Sequence, residues 1–162
     1  MKKHSSLRNY RSPTAHATGY IAALLLAICS SVCAQSAPQM DLPRTALSAG
    51  IYRFEVQIAR TPQEQEIGLM FRSAMPQNEG MLFVFPEAHQ QCFWMKNTQI
   101  PLTAAFVAAD GTIVNLEDMK AQTTDSHCSA KPVPYVLEMN QGWFAKKGIK
   151  AGMHLSSEAF QH

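Results

Sequence analysis

The sequence predicts one mostly β domain, an antiparallel sandwich or barrel with two short helices. Three observations predict it: many short apolar runs between turn signals, only two brief helical segments, and a clean alternation of apolar and polar residues around Tyr52, Phe54, Val56 and Ile58. Short strands at close intervals with few helices favour antiparallel all-β architectures. The 162 residues, 46% hydrophobic and 16% charged, suffice for one ordinary domain with its own core.

Residues 1–34 have the pattern of a cleavable secretory signal peptide. Lys2, Lys3, Arg8 and Arg11 give a positive leader without an acid, Ile21 to Ile28 form a short apolar run, and Val32-Cys33-Ala34 closes it with small-residue spacing. Cleavage is expected after Ala34, giving a periplasmic or secreted protein. The apolar run is less than half of the roughly twenty residues a bilayer span needs, so no membrane span is expected after cleavage. Cys29 and Cys33 raise the alternative of a lipid anchor, but Ile28 and Val32 precede them where lipid attachment wants a small residue. The whole chain carries 14 basic and 12 acidic residues, a formal net charge of +2; without the leader's four basic residues, ten face twelve acids, a net of −2. That balance gives no support to a basic footprint for nucleic acid or anionic lipid. The cluster Lys146, Lys147 and Lys150 suits a solvated helix end.

Residues 35–50, rich in Ser, Ala, Pro and Gln, read as a flexible lead-in, and the single β domain spans 51–162. From Tyr52 to Ile58, alternation with Arg53, Glu55 and Gln57 places an apolar face and a wet face on one strand. Thr61-Pro62-Gln63-Glu64 combines a Thr cap, a Pro at the first helical position and a Glu for a capping box, predicting a helix to about Arg72. Ile67, Met70 and Phe71 fall on one side of it. After the turn Asn78-Glu79-Gly80, Met81 to Phe85 is apolar throughout, as befits a strand covered on both faces, and Pro86 stops it. Strands follow over Gln91 to Asn97 and Leu102 to Ala108, and Asp110-Gly111 makes a hairpin to Thr112 to Asp118. Met119 to Pro134 reads as a long polar loop, Tyr135 to Met139 as a strand, and Trp143 to Lys147 as a short helix ended by Gly148. Phe83 and Phe106 lie in runs expected to be buried on both faces.

Several of these segments carry a family resemblance. Gly68-Leu69-Met70-Phe71-Arg72, Gly80-Met81-Leu82-Phe83-Val84-Phe85, and Phe93-Trp94-Met95-Lys96-Asn97-Thr98 followed by Ile100-Pro101-Leu102 resemble the successive motifs of the domain of unknown function 192 family. Tyr135-Val136-Leu137-Glu138 and Gly148-Ile149-Lys150 resemble its C-terminal segment, so the likeness runs from about Tyr52 to Gly152. The resemblance implies a β-sandwich of jelly-roll type and implies no activity. Thr103 stands where the family commonly has Asp, and Met153-His154 where Gly152 is usually followed by Asp.

Catalytic signatures are missing: there is no G-x-S-x-G elbow, P-loop, H-E-x-x-H or C-x-x-C. His89, His127, His154 and His162 with many methionines have the soft character copper prefers. They form no His-x-His or Met-x-x-Met cluster, and Met in apolar runs is ordinary core filler, so neither metal nor cofactor is expected. Binding candidates start from Trp94, Lys96 and Asn97: Cys92, Trp94 and Lys96 share a strand face opposite Phe93 and Met95, where an aromatic plane beside an ammonium can hold a ligand or simply cover a sheet. Arg72 and Glu138 can form structural pairs or line a pocket. Cys92 and Cys128, an even pair in an oxidising compartment, are expected to form a disulfide. The bond brings Asp125, Ser126 and His127 beside the Trp94 face, or merely anchors a long loop. The expected function is a noncatalytic envelope module binding a small molecule or a partner protein. The alternative is a hydrolase of a cell-envelope glycan using Lys96, Asp125, His127 or Glu138.

Overall fold

The computed structural model describes residues 37–160. The expected signal peptide, its cut after Ala34, the lipid-anchor alternative at Cys29 and Cys33, and His162 lie outside the described residues. In chain order the elements are β1 (Arg44–Ala49), β2 (Tyr52–Ala59), α1 (Pro62–Ile67), β3 (Glu79–His89), β4 (Cys92–Phe93), β5 (Leu102–Val107), β6 (Ile113–Met119), β7 (His127–Cys128), β8 (Val133–Asn140), α2 (Trp143–Lys146) and β9 (Leu155–Ser156), closed by a 3₁₀ turn at Glu158–Phe160.

Strand β1 arises inside the segment expected to be a flexible lead-in. Its sequence buries only Leu47 and Ala49, too little contrast to announce a strand; antiparallel pairing with β2 makes it one. The turn between them uses Gly50 at φ 57°, a left-handed conformation that glycine adopts without steric cost. Helix α1 begins as expected: Thr61 Oγ1 accepts from the Glu64 N–H at 3.2 Å, and Glu64 Oε2 accepts from the Thr61 N–H at 2.9 Å. The backbone N–H groups of Thr61 and Arg60 hold the Glu64 carboxyl below its usual range. The helix ends at Ile67 rather than near Arg72, because Gly68 leaves the helical region at φ 49° and its N–H closes on the Glu64 carbonyl at 2.9 Å.

Helix α1 carries the chain from β2 to β3, which lies parallel to it with Val56 opposite Gly80. A parallel neighbour needs a crossover, and α1 supplies it. The expected all-antiparallel arrangement is thereby corrected: the sheet is mixed, in the order β6-β5-β8-β3-β2-β1-β9, and curls into a half-barrel. The other pairings are antiparallel, including the β5–β6 hairpin at Asp110-Gly111. Pro86 does not stop β3, which continues to His89 through an irregularity after Val84 where the ladder to β8 is interrupted. A residue without an N–H is tolerated there.

The strand expected over Gln91 to Asn97 shrinks to β4, since the chain turns at Asn97 with φ 57°. The loop expected over Met119 to Pro134 contains β7, which pairs with β4 as a two-stranded ribbon. Asn115 ties that ribbon to β6, donating to the Cys128 carbonyl at 3.1 Å and accepting from the Ala130 N–H at 3.0 Å.

Apolar clusters cover both faces of the sheet. On one, Phe54, Val56, Leu82 and Leu137 pack against Trp143 and Phe144 of α2, with Phe54 and Trp143 edge to face at 4.6 Å. On the other, Met81, Phe83, Phe106 and Val136 pack against Leu69, Met75 and Met95. Phe83 and Phe106 are buried, as expected. Coverage on both sides explains why β5 and β8 read as nearly continuous apolar runs. Gln57 and Glu138 are polar exceptions, both buried.

Candidate functional site

Side chains alternate along β8, so Glu138 lies on the face that buries Val136. It sits between Met81 of β3 and Ala104 of β5 in register. The chain leaving α1 and the β4 ribbon cover this part of the sheet incompletely and leave a cavity of about 200 Å³. Glu138 and Thr98, each 4% exposed, are its interior polar residues. Phe83, Phe85 and Phe93 supply aromatic wall, and Trp94, 50% exposed, stands at the rim. The rings are mutually braced, with Phe93 edge to face on Phe83 at 4.8 Å and on Phe85 at 6.5 Å. Glu66 of α1 is the other carboxylate lining the cavity.

Glu138 is the unusual group. No side-chain hydrogen bond or ion pair from a described residue reaches it, and burial alone pushes its carboxyl up from the usual 4.5 to about 8. A buried carboxylate without a partner is costly, so burial favours the protonated form of the group. Thr98 donates its hydroxyl to the Lys96 carbonyl at 3.3 Å, which leaves its oxygen free to accept.

The residues expected to form a site separate into two sets. Trp94, Cys92 and Glu138 meet at the cavity. Lys96 is exposed, with its Nζ 5.4 Å from the Trp94 ring centroid, and Asn97 is exposed while its carbonyl accepts from the Phe71 N–H at 2.9 Å. Arg72 lies elsewhere, buried and donating to the Gln39 carbonyl and to Gln57 Oε1. Burial lowers its pKa, with the charge of Arg44 adding to the effect and Glu79 opposing it. It forms no pair with Glu138. Cys92 and Cys128 are bonded, their Cα atoms 4.0 Å apart across the ribbon. The bond sets His127 opposite Phe93, half-buried and with its Nε2 unpartnered, and leaves Asp125 exposed; neither lines the cavity. Thr98, Glu66 and the three Phe residues are not site candidates from sequence: aromatic residues in apolar runs signal core, and a lone Thr or helix-surface Glu carries no signal of its own.

At the positions that depart from the family pattern, Thr103 donates to Asp118 Oδ1 across the β5–β6 pair and His154 Nε2 bonds the Asp110 carbonyl. Both are structural contacts away from the cavity. Among the described residues, no group of three or more His, Cys, Asp and Glu is placed to hold a metal ion, and no helix is long and apolar enough to cross a membrane.

Residues 45–157 match the family model for domain of unknown function 192, described as "Uncharacterized ACR". No curated protein matches the chain. Among solved structures, the chain is similar to a Sinorhizobium meliloti protein described as a candidate transcription regulator, with 34% identity and a TM-score of 0.69 over 75% of this chain and 98% of that one. It is also similar to a protein of unknown function from Novosphingobium aromaticivorans, with 31% identity and a TM-score of 0.66 over 75% of this chain and 94% of the other.

Proposed function

The chain belongs to the domain of unknown function 192 family, and from that premise we propose that it is an exported, noncatalytic module that binds a small molecule in the cavity under Glu138. One observation carries the reading: Glu138, a residue only 4% exposed whose carboxyl has no hydrogen-bonding partner among the described residues, lines a cavity walled by aromatic rings. Folded proteins satisfy their buried polar groups, so an orphan carboxyl facing a concave apolar site is in place for a ligand. Export to the periplasm or beyond is supported by the leader pattern and by the Cys92–Cys128 bond, which suits an oxidising compartment. The regulator description of the Sinorhizobium relative does not direct us to nucleic acid, since ten basic and twelve acidic residues follow Ala34.

A thermal-shift screen of small molecules on the purified protein tests the reading. A ligand at a hundred times its Kd adds about 2.7 kcal/mol to folding stability. The module reading expects hits that raise Tm in the native protein and lose their effect in Glu138→Leu. A screen whose hits act equally on both proteins rules out the Glu138 cavity as the site.

A second reading, hydrolysis of a cell-envelope glycan, has one observation in its favour. Glu66 and Glu138 line the same cavity in unlike surroundings, one exposed and one buried, and paired carboxylates in contrasting environments are how glycosidases divide acid and base roles. Release of sugar from envelope glycan that disappears in both Glu66→Gln and Glu138→Gln would replace the module reading.

A further inference from the structure

Resting on that module reading, we propose that the ligand of the Glu138 cavity is a small organic cation, an ammonium or quaternary ammonium compound, held between the Glu138 carboxylate and the aromatic walls. Three features point to it. First, every ionisable group lining the cavity is acidic: Glu66 on α1 and Glu138 on β8, with no Arg, Lys or His from β3, β4, α1 or the Thr98 turn, and with Cys92 held in its disulfide. The residues flanking Glu138 on the neighbouring strands, Met81 and Ala104, are uncharged. An anionic ligand would find no counter-charge among the lining residues, Lys96 standing outside them beside Trp94, whereas a cation meets one buried carboxylate and one at the rim.

Second, the rings of Phe83, Phe85, Phe93 and Trp94 line the same space, and aromatic rings attract cations, quaternary ammonium groups above all. A cation already lies near the outermost of these rings, with Lys96 Nζ 5.4 Å from the Trp94 centroid. Third, the size fits. A cavity of about 150 Å³ accommodates a benzene ring, so about 200 Å³ admits a trimethylammonium head with a short tail.

The orphan state of Glu138 then has a physical reason: its partner is the ligand. Burial favours the protonated carboxyl, and a cation that draws it into the charged form displaces the proton to solvent. Binding is therefore linked to pH. Below about 8 only a fraction of the empty protein has the charged carboxylate ready, so apparent affinity rises about tenfold per pH unit and levels above that value.

Calorimetric titration of the purified chain with choline and with its uncharged isostere 3,3-dimethylbutan-1-ol tests the proposal, at pH 6, 7 and 9. Choline should bind at least tenfold more tightly than the alcohol, with about a tenfold gain from pH 6 to pH 7. Glu138→Gln should remove both the preference and the pH dependence, and its thermal melt verifies folding. Trp94→Ala, at a half-exposed site, should weaken choline about threefold to fivefold. Equal binding of the alcohol, no binding of choline, or an unchanged choline affinity in Glu138→Gln overturns the cation assignment. If choline fails while other small molecules still stabilise the protein through Glu138, the module reading stands without it; if nothing binds through Glu138, both fall.

Discussion

Replacing Glu138 with Gln should make the protein more stable at neutral and alkaline pH. The carboxyl has its usual value of 4.5 in the unfolded chain and about 8 in the fold. A group with a raised folded value contributes its full stability below pH 4.5 and loses it as pH climbs toward 8. The 2.5 pH units from 4.5 to 7, at 1.36 kcal/mol each, come to about 3 kcal/mol lost at pH 7. By pH 9 the loss approaches about 5 kcal/mol. Gln has nearly the same shape and cannot ionise, so it removes this slope and leaves a constant offset from its own amide. Urea denaturation of both proteins at pH 5, 7 and 9 reads the difference directly, because every other titrating group is common to the two. The Gln variant should gain about 3 kcal/mol relative to the native protein between pH 5 and pH 9 at the least. A difference that stays flat within about 0.5 kcal/mol over that range refutes the desolvated, unpartnered carboxyl.

Phe83→Ala or Phe106→Ala should cost about 3 to 5 kcal/mol, since each removes a fully buried ring from the face beneath the ribbon; chemical denaturation showing less than about 1 kcal/mol would contradict that packing. Double replacement of Cys92 and Cys128 by Ser should cost about 4 kcal/mol for the 36-residue separation, read as a loss of urea midpoint, and an unchanged midpoint would mean that the bond constrains nothing. N-terminal sequencing of protein recovered outside the cytoplasm should begin at Gln35; a chain starting at a lipidated Cys29 or Cys33 would replace secretion with anchoring.

The local parts of the fold were legible where one short stretch of sequence decides the structure. The Thr61 capping box, the Asp110-Gly111 hairpin and the alternation of β2 depend on neighbours a few residues apart; the first two are found, and the alternation holds through Glu55 but fails at Gln57, which is buried. The parallel pairing of β2 and β3 has no such signature, because it depends on where α1 packs rather than on residues in either strand. Strand β1 was invisible for a related reason: its pattern is too weak to stand without β2 beside it. The site was half legible. Trp94 and Glu138 stand out in the sequence as chemically unusual, and both reach the cavity, whereas Arg72 lies elsewhere and bonds Gln39 and Gln57 through one guanidinium nitrogen while its Nε has no partner among the described residues. A charged residue in an apolar run announces that it needs a partner, but whether one exists is a fact of three-dimensional packing. For Arg72 the partners are carbonyl oxygens from the segment before β1 and from β2; for Glu138 there are none among the described residues.

The most direct test of the account is the titration of the Glu138 carboxyl itself, followed by carbon-13 NMR of side-chain carboxyl groups, with Glu138→Gln assigning the resonance. A midpoint near 8 is expected for the purified protein, far above the usual value of 4.5. A midpoint between about 4 and 5 would mean that water or an unseen partner already satisfies the group, and the cavity would lose its claim to a ligand.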